Sequence, residues 1–84
     1  MKEEDKKRIK DAFLAAVEGN PERSKEIVEG VAGPDGSALT RADLVQGTVD
    51  SEQFYEAVDV GVAGGQFTIE KLIKNFQDSW ALKP

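Results

Sequence analysis

The chain has 84 residues, a formal net charge of -5, no cysteine and no histidine. At this length one domain with a small core is expected, and the two missing residue types exclude disulfides, thiolate and imidazole metal sites, and Ser-His or Cys-His catalysis. No apolar run approaches the roughly 20 residues of a membrane span, and the charged start Met1-Lys-Glu-Glu-Asp-Lys-Lys-Arg lacks the apolar stretch of a signal peptide, so a cytoplasmic protein is expected.

Along the chain, Ile9, Phe13, Ala16 and Val17 recur at helical spacing between charges, which predicts an amphipathic helix over residues 4–18. Asn20-Pro21-Glu22 reads as the start of a second helix: Asn20 caps the free amides, Pro21 brings a preset φ and Glu22 complements the dipole. Its apolar stripe of Ile27, Val28 and Val31 carries the prediction to Val31. Gly33-Pro34-Asp35-Gly36 forces a turn, followed by a loop to Leu39. Thr40-Arg-Ala-Asp43 has capping-box spacing and opens a short helix with Ala42, Leu44 and Val45, closed by Gly47. Asp50-Ser51-Glu52-Gln53 opens a fourth helix with Phe54, Ala57 and Val58 facing inward, stopped by Gly61 and the pair Gly64-Gly65. Thr68 caps a fifth, whose Ile69, Leu72, Ile73, Phe76 and Trp80 form an apolar stripe.

Charge is concentrated. Residues 1–17 sum to +1, residues 18–59 to -7 and residues 60–84 to +1, and no basic side chain lies between Arg41 and Lys71. Such a field opposes phosphate backbones, so nucleic acid is not an expected partner. It suits either a solvated face or a docking surface for a basic protein segment.

Val31-Ala32-Gly33 and Val62-Ala63-Gly64 are the same tripeptide, each followed by a glycine turn, an apolar residue, a threonine and an amphipathic run. The pattern reads as two tandem helix-loop-helix units. Ser37-Ala38-Leu39 and Gly65-Gln66-Phe67 hold equivalent places and are expected to pair as a short antiparallel bridge.

Helix, glycine loop, one apolar residue and a threonine opening the exit helix resemble an EF-hand, with Gly65-Gln66-Phe67-Thr68 on the motif's Gly-x-apolar-Thr core. The resemblance covers residues 21–80. The elements read along the chain give an all-α fold of five short helices: an N-terminal helix over residues 1–19, a first helix-loop-helix over 20–47 and a second over 48–84, arranged either as the EF-hand likeness implies or as an unrelated five-helix fold. A calcium loop needs oxygen ligands at loop positions 1, 3, 5 and 12. With Gly65 at the sixth, those places fall to Val60, Val62, Gly64 and Lys71, and neither register of the first loop supplies more than one carboxylate. No metal and no cofactor are therefore expected. In the family such metal-free pairs commonly grip an apolar helix of a partner, and the resemblance implies that role here.

No residue set names a catalytic chemistry: Asp35, Ser37, Thr40 and Asp43 are accounted for by turns and caps, and Gly61, Gly64 and Gly65 lack the Lys-Ser/Thr of a phosphate loop. The expected core is Ile9, Phe13, Val17, Ile27, Val28, Val31, Leu39, Leu44, Val45, Phe54, Val58, Phe67, Ile69, Leu72, Ile73 and Phe76. The expected function is an interaction module or regulator, not an enzyme. It would bind a basic amphipathic protein segment in an apolar groove through Asp50, Glu52, Tyr55, Glu56, Asp59, Phe76 and Trp80. Two other readings stand beside it. Gly64-Gly65 resembles the double-glycine cleavage site of secreted peptide precursors, although Asp59 takes a leader place usually held by an apolar residue. The acidic segment could also act as a decoy for a basic cleft, a mode that salt would weaken steeply.

Overall fold

In the computed structural model, residues 1–33 and 35–81 are described. Pro34 of the predicted turn, and the last three positions of the second unit, lie outside the described residues. Those described form five helices and one two-stranded antiparallel sheet.

The first helix, α1 (Glu3–Gly19), follows its prediction closely: acidic Glu3, Glu4 and Asp5 fill the first turn, where they oppose the positive end of the dipole, and Ile9 and Phe13 are buried. Asn20 then caps α2 (Pro21–Ser24), its Oδ1 accepting from the Arg23 amide at 3.3 Å.

Here the structure departs from the predicted helix through Val31. After one turn the Ser24 hydroxyl donates to Val17 O at 2.6 Å and Asn20 O at 2.9 Å, tying the end of α2 back onto α1. The chain then runs extended as β1 (Ile27–Ala32). The apolar positions 27, 28 and 31 fit a helical stripe, but three of the six residues in this run are β-branched and Gly30 takes φ 78°, outside the helical region.

β1 turns back into β2 (Ala38–Thr40), pairing Ile27 with Thr40 and Ala32 with Ala38 across an irregular stretch. The turn is held by Gly33 N donating to Ser37 O at 2.7 Å and by Asp35 Oδ1, which accepts from the Ser37 amide and hydroxyl. β2 thus pairs with β1, and the expected bridge to residues 65–67 does not form. Arg41 fastens the base of the hairpin, its amide donating to Glu26 O and its guanidinium lying 2.6 Å from the Glu26 carboxylate.

Thr40 and Asp43 complete the predicted capping box at the start of α3 (Arg41–Val49), each side chain accepting from the other's backbone amide. Gly47 does not end this helix, which continues to the buried Val49. Nor does Gly61 end α4 (Glu52–Ala63). A Cβ at Gly61 would meet the Phe67 ring at 2.3 Å, so glycine is needed there to admit the ring rather than to stop the helix. Termination falls to Gly64, Gly65 at φ 72° and the Gln66 amide, which donates to Gly61 O at 2.9 Å. Thr68 Oγ1 then accepts from the Lys71 amide at the head of α5 (Ile69–Ala81).

The core lies around α1, which packs on α5, α3 and α2. Ile9, Phe13, Val45, Val49, Tyr55, Val58 and Trp80 are buried, and Phe13 stacks on Phe76 with ring centroids 3.9 Å apart. Three expected core residues are exposed instead, Ile27 (63%), Val31 (39%) and Leu44 (36%). The first two are on the projecting hairpin; Leu44 stands on the outward side of α3. The repeated tripeptide adopts two conformations, ending a strand at Val31-Ala32 and a helix at Val62-Ala63.

Candidate protein-docking surface

The acidic residues expected to rim a partner groove are spread along the end of α3 and the length of α4, and α1 pairs with two of the four. Asp50 Oδ1 lies 3.2 Å from Lys10 Nζ while its Oδ2 accepts from the Gln46 amide group at 2.9 Å. The Gln46 bond first, and Lys10 second, hold the Asp50 carboxyl below its ordinary range. Glu52 accepts from Lys6 at 3.1 Å, and that bond raises the Lys6 ammonium above its usual value. Asp59 lies 2.7 Å from the Met1 amine. Glu56 is exposed and makes no ion pair among the described residues. Lys6 and Lys10 of α1, a helix anchored by buried Ile9 and Phe13, thus pair with two carboxylates of the acidic face, while Glu52 and Glu56 stay exposed.

The three aromatic residues expected at that groove point inward. Tyr55 is 5% exposed, its hydroxyl donates to Val49 O at 2.6 Å, and burial pushes its pKa up. Phe76 lies between Phe13 and Trp80, stacked on both. Trp80 is 7% exposed, and its carbonyl accepts from the Asn20 side chain at 3.3 Å. Packing against α1, rather than capture of a partner, accounts for these rings.

Between α1 and the α3–α4 corner remains a cleft of about 310 Å³, lined by Lys6, Lys7 and Lys10 as well as Glu3, Asp50 and Glu52, so its charges largely cancel. A second hollow, about 410 Å³, opens at the head of α5 around Val62, Phe67 and Ile69, with Glu70 and Lys71 again of opposite sign. The third differs. About 400 Å³ of open space lies between β2, α3 and α4, floored by Leu39, Leu44 and Phe54 and bordered by Gly47, Thr48 and Ser51, with Asp43 as its one charged lining residue. Gly47 has nothing within 4 Å of its missing side chain, which leaves the helix backbone open to close approach. Sequence reasoning placed Leu39 and Leu44 in the core and read Asp43 only as a cap. The available signal was the short, glycine-containing α3, too small to cover two faces.

Among the described residues no group of three or more acidic side chains converges as a metal site, and no helix is long and apolar enough to cross a membrane. Gly64 and Gly65, singled out as a cleavage signal, shape the α4–α5 turn, and the segment after them supplies Phe76 and Trp80 to the core. No family model matches the chain, and neither curated proteins nor solved structures show a significant match to it.

Proposed function

We propose that this domain is a small acidic interaction module, a regulator rather than an enzyme, that takes a basic amphipathic segment of a cytoplasmic protein on the hollow between β2, α3 and α4. The observation that carries the reading is Leu44, a large aliphatic side chain held 36% exposed beside half-buried Leu39 and Phe54 in a hollow whose one charge is negative. Such a surface matches a helix that presents two or three apolar side chains and a lysine or arginine opposite Asp43. The acidic residues of α4 set the long-range field, which favours approach of a basic segment. The EF-hand resemblance over residues 21–80 supports the reading only through the interaction role it implies, since β1 stands where its first entering helix was expected.

The expected affinity is modest. Fully burying a leucine is worth about 1.5–3 kcal/mol, and Leu44 has roughly a third of that left to gain, so it adds about 0.5–1 kcal/mol and the remaining contacts must meet the association costs. The test is an amide NMR titration with a synthetic Leu/Lys amphipathic helix peptide. Shifts should centre on Leu39, Asp43, Leu44, Gly47 and Phe54, and Leu44→Asp should weaken binding at least about tenfold. Shifts centred on Glu52 and Glu56, or affinity unchanged in the Leu44→Asp variant, would refute the placement. A steep loss of affinity with salt, independent of Leu44, would favour the decoy mode instead.

A further inference from the structure

After proline, glycine is the least favourable residue inside a helix, because its backbone gives up the most freedom on ordering. In α4 that cost has an answer within the chain, since Gly61 seats the Phe67 ring. Gly47, two residues short of the end of α3, has none: a Cβ there would meet nothing within 4 Å among the described residues. The packing of the chain gains nothing from the missing side chain.

A visitor to the hollow between β2, α3 and α4 would gain from it. Gly47 lies one helical turn from Asp43 and Leu44 on the same side of α3, and all three line that hollow, with Leu39 of β2 and Phe54 of α4 completing its apolar walls. The neighbouring Thr48 hydroxyl donates to Leu44 O at 2.8 Å, so this donor is spent within α3 and the surface around Gly47 selects by shape. Two helices pack with axes about 8–10 Å apart, and the shorter spacing requires small side chains at the point of closest approach. Gly47 meets that requirement on one side of the contact, and the occupant has to meet it on the other. Resting on the docking reading of the hollow, we infer that Gly47 marks the closest approach of the partner: the basic segment lies along α3 as a helix with alanine, glycine or serine over Gly47. Its larger apolar side chains fall to Leu39, Leu44 and Phe54. Its lysine or arginine stands one turn from the small residue, because Asp43 and Gly47 are about 6 Å apart along the helix. A segment with leucine at every inward position is rejected by the α3 backbone.

Two synthetic Leu/Lys amphipathic helices, identical except for alanine or leucine at the inward position one turn from a lysine, test this by amide NMR titration of the full chain. The parent chain should bind the alanine peptide at least about tenfold more tightly than the leucine peptide, in line with the usual cost of overpacking. Gly47→Ala should raise the melting temperature by about 2–8 °C while weakening the alanine peptide about three- to tenfold, and Gly47→Leu should weaken it by more than about tenfold with the fold retained by circular dichroism. Stability and binding thus move in opposite directions, which a glycine serving only the fold would not produce. Gly47→Ala melting at or below the parent temperature, equal or tighter binding of the leucine peptide, or affinity indifferent to Gly47→Leu would overturn the inference. Where Leu44→Asp still weakens binding in those cases, the hollow stands as the docking surface and only the placement of the helix falls; binding of neither peptide would overturn both.

Discussion

Gly61→Ala sets two physical effects of opposite sign against each other at one atom. Alanine in the interior of α4 should favour the helix by about 1 kcal/mol, since it restricts the unfolded backbone. Its Cβ would lie 2.3 Å from Phe67 Cε1 and 2.5 Å from Cζ, well inside contact distance, so the half-buried ring has to leave its place. Overpacking of this kind costs about 1–3 kcal/mol. The clash should win by about 1 kcal/mol, which for a domain this small lowers the melting temperature by about 4–8 °C. Phe67→Ala removes the obstacle, and adding Gly61→Ala to that variant should then raise stability by up to about 1 kcal/mol. Thermal and urea unfolding of the four proteins in this cycle give the comparison. A Gly61→Ala protein as stable as the parent, or more so, with Phe67 in place would refute the argument that the glycine exists to seat the ring.

Three other outcomes are expected. Thr40→Ala removes the acceptor for the Asp43 amide in the capping box and should cost about 1 kcal/mol in urea unfolding; an unchanged midpoint would mean the box contributes nothing. Asp50 and Glu70 have folded pKa values lowered by their hydrogen bonds, so their contribution is complete above the unfolded carboxylate values near 4 and is lost as pH falls through the lower folded values; melting temperature should drop across that acid range, and a flat profile would contradict it. Tyr55 is the chain's one tyrosine, so absorbance near 295 nm reports it alone; its folded pKa is raised, and stability should be intact below about 10 and decline as pH climbs through the folded value, whereas reversible ionisation near 10 in a folded protein would show that the ring is not buried.

Local chemistry was legible in the sequence where one residue decides the outcome. The Asn20-Pro21 start, the Thr40/Asp43 box and the Thr68 cap each act through a bond to a neighbouring amide, so spacing alone reveals them. Legibility failed where packing decides. Positions 27, 28 and 31 fit a helix as well as an irregular strand, and the strand forms with the tie from Ser24 to α1 behind it and Gly30 at φ 78° within it. Gly47 and Gly61 read as helix stops because the demand on them comes from outside their own helix or, at Gly47, because a short helix tolerates the glycine. Charge pattern along the sequence did not reveal that Lys6 and Lys10 of α1 pair with Glu52 and Asp50, because a charge pattern carries no address.

The stacking of Phe13 on Phe76 also sets the order of events when the chain is made. The first helix leaves the ribosome early, yet the ring that covers it belongs to the last helix. Until α5 is synthesised, Ile9 and Phe13 have no complete interior to enter, and α1 waits as an amphipathic helix with its apolar side open to whatever is nearby. Folding of this domain is therefore expected to follow synthesis of α5, with a long sequence separation closing at the aromatic stack. A nascent chain halted before Phe76 would offer chaperones the very surface that the finished protein hides.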